Sequence, residues 1–234
     1  MVHPQRPTFA PDTETTAPGT FELEAGLSVD PGDGLDSPLL LKWGLSEDAE
    51  VTAGFSPLRI EARPGRDAEG VGDLRLGVRH RFVEALEDRP SAAFLVEAKL
   101  PTAPSGGGLG SGETDLRAGL VLHARRRGFA WKLFGSLGAL GDPDGPGLDV
   151  EWALAFGLER PFGGGWKGFG ELSLVAVPER DFEPFTLLVG AARRVSADLV
   201  LDFSLGLGLS DDAPDLRLLL GLTTNLGGPL LPPD

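Results

Sequence analysis

The stretch PDLRLLLGLTTNL, residues 214–226, decides how this chain folds. Leu216, Leu218, Leu220, Leu222 and Leu226 fall on one face, and Asp215, Arg217, Gly221, Thr223 and Asn225 on the other. A helix would turn Leu216 about 200° away from Leu218, so period two marks a strand with one apolar and one polar face. Working outward, comparable segments recur at about 20–28, 38–45, 50–57, 73–82, 92–100, 115–124, 129–140, 148–158, 166–176, 184–192 and 197–209, which brings the total to twelve. Apolar faces carry, for example, Phe94, Val96, Ala98 and Leu100, or Val150, Trp152, Leu154 and Phe156. The alternate positions hold Lys42, Arg75, Arg79, Glu97, Lys99, Arg117, Lys132, Glu151, Lys167, Glu171, Asp202 and Arg217, mixed with Gly, Ser and Thr.

Alternation alone fits a soluble sandwich, a barrel enclosing a ligand, or a membrane barrel that turns its apolar face to lipid. Segment length favours the last, because a tilted strand needs about nine to eleven residues to cross a bilayer whereas soluble strands average about five or six. Connection lengths favour it too. Tight turns follow the second, sixth and tenth segments (46–49, 125–128 and 193–196), while long links of about 57–71 and 101–114 follow the third and fifth. An up-and-down barrel places such long loops at one rim and short turns at the other. The expected fold is therefore all-β: a single closed antiparallel transmembrane-type barrel of twelve strands over 20–226, preceded by a flexible Pro- and Thr-rich segment, 1–19, and followed by a short tail, 227–234. Glycines inside strands, such as Gly135, Gly157 and Gly206, read as sites of sheet curvature.

Composition excludes several functions. A net charge of -14 argues against a nucleic-acid partner, which requires a local excess of Lys and Arg. The absence of cysteine removes disulfides, thiolate nucleophiles and thiolate metal sites. The three histidines, His3, His80 and His123, lack the spacing of a shared metal site, and no cofactor is expected. No apolar leader precedes Phe21, so either a targeting segment has been removed or the chain crosses no membrane. The glycine-rich loop SGGGLGSGET, 105–114, lacks the Lys–hydroxyl pair of a phosphate cradle and leads into a strand rather than a helix. No G-x-S-x-G elbow is present, and His80 and His123 read as ordinary rim or polar-face histidines, so the chain reads as a non-enzyme. The acid pairs Glu22/Glu24 and Asp149/Glu151 each point one way from a strand and read as part of a hydrated wall.

Three stretches carry a family resemblance: GVGDLRLGVRHRF at 70–82, VEAKLPTAPSGGGLGSGETDLRAGLVL at 96–122, and the closing LRLLLGLTTNL. With them the chain resembles bacterial outer-membrane barrels described as transporters and as the MetA pathway of phenol degradation family, over about 21–226. Tyrosine is absent and the aromatic residues are few for such a barrel. The resemblance implies an outer-membrane location, contact with outer-membrane lipid, and uptake of small, often aromatic or hydrophobic solutes.

The expected lumen lining is Arg75, Arg79, Glu97, Lys99, Arg117, Lys132, Glu151, Lys167, Glu171, Asp202 and Arg217. Enclosed charges must be paired, hydrogen-bonded or hydrated. Arg79, Lys99, Arg117, Lys132 and Lys167 are accordingly expected to face Glu97, Glu151, Glu171 and Asp202 in a network controlling passage. The competing reading is a non-catalytic soluble or surface barrel that binds an apolar ligand or acts as a scaffold.

Overall fold

The computed structural model describes residues 1–63, 66–86, 89–105, 107–142 and 146–228. The tail expected over 227–234 lies outside them from residue 229 onward. Fifteen strands are found among the described residues: β1 (Phe21–Asp30), β2 (Gly34–Asp36), β3 (Leu39–Gly44), β4 (Ala49–Phe55), β5 (Arg59–Arg63), β6 (Arg66–Gly70), β7 (Leu74–Val83), β8 (Ser91–Leu100), β9 (Asp115–Arg126), β10 (Phe129–Gly141), β11 (Leu148–Gly163), β12 (Trp166–Ala176), β13 (Phe185–Ser196), β14 (Leu199–Gly208) and β15 (Leu216–Gly227). Twelve of these form the wall, each antiparallel to the next, and β15 returns to pair with β1 through Ala25↔Leu222 and Leu27↔Leu220. Closure leaves the wall without an unpaired edge.

The short strands β2, β5 and β6 lie in the first and third long connections and extend the sheet beyond the rim: β2 pairs with β1 and β5, and β5 with β6. By sequence these stretches read as loop, since three to five residues are too few to display a period. At the opposite rim the turns between β3 and β4, β9 and β10, β11 and β12, and β13 and β14 are tight. Between β9 and β10 the chain reverses through Arg127 and Gly128, both at positive φ (53° and 79°), the geometry that matches the twist of a two-residue hairpin.

The wall sorts its side chains as alternation requires. Leu120, Leu154 and Leu220 on the outside are 57%, 52% and 58% exposed, whereas Lys42, Glu50 and Lys132 on the inside are at 3% or less. An apolar exterior around a charged interior is the arrangement of a transmembrane barrel and the inverse of a soluble one. Arg75 is more open than these inward residues: its side chain is 48% exposed, because it stands in the wide long-loop half of the lumen, which solvent enters. The interior also has apolar patches, notably Val121, Phe134 and Ala155 on one side and Phe169, Leu188 and Val200 on another.

Replacing Leu154 by Arg puts a guanidinium on the lipid face and is expected to cost about 2 to 4 kcal/mol at mid-membrane depth. Unfolding of the lipid-reconstituted protein by denaturant reads this cost. An unchanged midpoint would show that the face does not meet lipid.

The segment expected to be a flexible lead-in runs through the lumen instead. Val2, Ala10, Thr13 and Thr16 are fully buried there, and Val2 and Ala10 complete the two interior apolar patches. Its Pro- and Thr-rich sequence gives no period of its own, and the partners that order it all belong to the wall.

Candidate functional site

The site is built from a charged wall and the backbone of residues 2–16. Wall carboxylates accept from the segment's amides: Glu22 from His3, Glu24 from Gln5 (2.7 Å) and Arg6, Glu171 from Phe9 (2.6 Å) and Ala10, and Glu50 from Thr16 (2.7 Å). Wall cations donate to the segment's carbonyls: Lys42 to His3 (2.6 Å), Lys132 to Ala10, Arg79 to Asp12 (2.8 Å) and Arg194 to Val2. Charge-assisted bonds of this kind are about twice as strong as neutral ones. They hold main-chain atoms, which any sequence presents, so this part of the segment's placement is not revealed by its sequence.

Some side chains of the segment add contacts of their own: Glu14 pairs with Arg81 (2.9 Å), Thr8 accepts from Lys132, Thr15 donates to the Glu47 carbonyl, and Arg6 and Asp12 reach further into the wall. Arg6 lies against the directly paired glycines Gly26 and Gly221, and a Cβ on either would fall 2.1 or 2.4 Å from its guanidinium atoms. These glycines therefore make room for Arg6, a role beyond the curvature that glycine in a strand suggests by itself. Asp12 meets His123 Nδ1 at 2.8 Å, beside a hydroxyl pair formed by Thr13 and Ser91 (2.7 Å). The Ser91 hydroxyl is also directed to the His123 carbonyl, while His123 Nε2 has no hydrogen-bond partner, so no serine–imidazole hydrogen bond of a hydrolase triad forms here.

Below the short-turn rim the wall is tightly paired. Lys42, wholly buried, bridges Glu22 and Glu24 at 2.8 Å each, and Arg79 is bonded to Glu50. Glu159 takes Lys132 (3.3 Å) and Lys167 (2.8 Å). Toward the long loops the pairs border a wide cavity, with Lys99, Asp73 and Asp115 still buried. Lys99 joins Asp115 (2.9 Å) and Asp73 (3.6 Å), Arg75 joins Glu97 (3.0 Å), Arg117 forks onto Glu151 (2.6 and 3.1 Å), and Arg217 onto Asp30 (2.6 Å).

The expected lining residues thus lie on the luminal side, but their partners differ from expectation. Of the anticipated pairs only Arg117–Glu151 forms. Glu171 receives amides of the segment rather than a lysine, Asp202 has Arg6 as its cation at 3.9 Å, and Arg79, Lys99 and Lys132 choose carboxylates on neighbouring strands or loops. Alternation places Lys42, Glu22 and Glu24 on the polar wall without giving them a site, and gives no role to Glu50, Glu159 or Asp12. One signal is present: β1 turns two acids inward with no base of its own, which requires cationic or amide partners from elsewhere.

Two chambers result. On the long-loop side a cavity of about 1040 Å³ is lined by Asp73, Arg75, Glu97 and Lys99, and continues into one of about 470 Å³ floored by Gln5, Phe9 and Pro11 of the segment. On the short-turn side a third, of about 560 Å³, is bounded by Val2, His3 and Pro4 of the same segment together with Arg125 and Lys167. The segment stands between them.

Comparison with solved structures gives the same architecture. The COG4313 outer membrane channel from Pseudomonas putida F1 is 16% identical with a TM-score of 0.74, over 92% of this chain and 98% of the other. The KdgM porin follows at 10% identity and a TM-score of 0.60, over 88% and 99%, and the NanC porin at 9% and 0.59, over 88% and 100%. At these identities the likeness is one of fold. No protein-family model and no curated protein sequence matches the chain.

Proposed function

We propose that this chain is a non-catalytic channel of the bacterial outer membrane, passing small solutes through a charged lumen that its own N-terminal segment obstructs. The observation that carries this reading is the pair of solvent chambers within one closed wall, separated by a segment of the same chain. An exterior of exposed leucines supports placement in lipid, and the likeness to channel and porin barrels supports passage. The alternative of a barrel enclosing an apolar ligand is not favoured by an interior that holds Lys42, Glu22, Glu24 and Glu50.

We further propose that the solutes are small and partly apolar or aromatic. The inner part of the long-loop chamber brings Leu40, Leu95, Phe134 and Phe9 together with Arg117 and Glu151, and Phe9 and Phe134 meet edge to face at 5.7 Å. A flat apolar body fits that side, with a polar head toward the ion pair. The pair is fixed by two hydrogen bonds yet reaches solvent, so its charge is felt by anything that passes.

Neutralising both partners, as Arg117→Gln with Glu151→Gln, is expected to change solute flux or ion selectivity in reconstituted vesicles while strand content stays intact. Unchanged transport with an intact barrel would remove this pair from the functional account.

A further inference from the structure

One feature of the wall lies at the end of the strands, where Arg126 and Phe129 also border the short-turn chamber. At the short-turn rim, neighbouring strands present guanidinium and aromatic groups alternately to the outside. Arg126 at the end of β9 pairs with Phe129 on β10, and Arg160 of β11 places its guanidinium 4.9 Å from the Phe129 ring centre. Phe162, two residues further along the same face of β11, lies over Gly168 of β12, where a Cβ would come within 2.5 Å of the ring. Trp166 of β12 then pairs with Arg193 of β13, whose guanidinium is 5.4 Å from the indole. Three cations and three aromatic rings thus occupy five adjoining strands beside the same set of tight turns.

The side chains of this row are on the surface: Phe129, Phe162 and Trp166 are exposed, and so are the three arginines. Among the described residues none of Arg126, Arg160 and Arg193 has a carboxylate partner, although the chain carries 35 acids against 21 bases. Alternation explains the absence of one near neighbour, since Glu159 turns inward to Lys132 and Lys167. Aromatic residues at the end of a membrane-spanning wall sit at headgroup depth. A guanidinium there meets lipid phosphates, which its planar fork binds through two parallel hydrogen bonds. Successive arginines stand two strands apart, about 10 Å from backbone to backbone, a spacing that lets each engage a separate phosphate.

We propose that this row is a binding site for the phosphodiester headgroups of anionic phospholipid in the leaflet at the short-turn rim. The inference rests on the barrel standing in a membrane and is independent of whether its lumen conducts. The stacked rings hold Arg160 and Arg193 in place, which lowers the entropy lost when a headgroup is bound. Neutral zwitterionic lipid offers the same phosphate but also an ammonium group, which the row repels.

The test reads lipid selectivity at Trp166. In a background where Trp43, Trp131 and Trp152 are changed to Phe, the protein is reconstituted into phosphatidylethanolamine vesicles containing equal fractions of brominated phosphatidylglycerol or brominated phosphatidylethanolamine. Quenching by the anionic lipid is expected to exceed that by the zwitterionic lipid several-fold. Changing Arg126, Arg160 and Arg193 together to Gln should abolish the difference while leaving quenching by phosphatidylethanolamine. Equal quenching in the parent, or a preference that survives the three substitutions, would overturn the proposal. No quenching by either lipid would instead overturn the membrane placement beneath it. If the background does not fold, native mass spectrometry of the otherwise unaltered protein gives the same reading, as phosphatidylglycerol retained by the parent and lost from the three-Gln variant.

Discussion

Replacing Lys42 by Met is expected to produce one of the largest losses of stability available to a single substitution in this barrel. The ammonium is wholly buried and is held 2.8 Å from both Glu22 and Glu24, which are themselves buried. Removing it leaves two carboxylates side by side on β1, neutralised only by the amides of His3, Gln5 and Arg6. Breaking a buried ion pair by deleting one partner costs about 3 to 5 kcal/mol, because the remaining charge is uncompensated. The bond from Lys42 to the His3 carbonyl is lost as well, so the segment should loosen at the same time. Denaturant unfolding in detergent should show a clearly lowered midpoint. Adding Glu22→Gln and Glu24→Gln to the variant should recover much of it, since Gln carbonyls still accept from the amides without carrying charge. A midpoint unaffected by Lys42→Met would mean that this triad is hydrated rather than dry.

Deleting residues 2–16 is expected to raise the conductance of the reconstituted barrel several-fold. A closed wall of twelve strands has a backbone diameter of about 24 Å. Inward side chains narrow it, and an additional peptide strand with its own side chains fills much of what remains. With the segment gone, the chambers on either side of it become continuous. Its removal also strips Glu22, Glu24, Glu50 and Glu171 of the amides they bind. The first three keep Lys42 and Arg79, so Glu171 is the one of the four that loses its hydrogen-bond partners, and its charge should favour cations near it. Equal conductance with and without the segment would show that it does not lie across the conducting path.

The wall is legible in the sequence because period two is a local property. Leu216, Leu218 and Leu220 declare their face without reference to any other strand, and the same holds for the paired alternations of 92–100 and 148–158. The contrast of long and short connections then fixes the two rims. Pairing is much less legible. Which carboxylate meets Arg79 depends on the register of β4 against β7, which sets Glu50 opposite it. Lys99 finds Asp73 and Asp115 because they cap neighbouring strands at the same height, and no spacing within β8 announces this. Arg117–Glu151 can be anticipated only as members of one polar face. The segment is hidden for a different reason. Bonds to backbone amides and carbonyls place few demands on side-chain identity, so MVHPQRPTFAPDTETT looks as it would if it were free. Besides the two unmatched acids of β1, its sequence-level trace is the Gly26–Gly221 pair that accommodates Arg6, and glycine is too common in the strands of a tightly curved sheet for two of them to mark a buried arginine.

The most direct test is to fasten the segment where it lies. The chain has no cysteine, and Thr13 Oγ1 and Ser91 Oγ are 2.7 Å apart, so Thr13→Cys with Ser91→Cys introduces one defined bridge between segment and wall. Single-channel conductance in planar bilayers is then recorded oxidised and reduced, and again after urea too dilute to open the barrel has been applied to loosen the segment. Low conductance is expected for the oxidised protein under every condition, with a several-fold rise on loosening seen only after reduction. An oxidised channel that opens as readily as the reduced one would contradict the claim that the N-terminal segment obstructs the lumen.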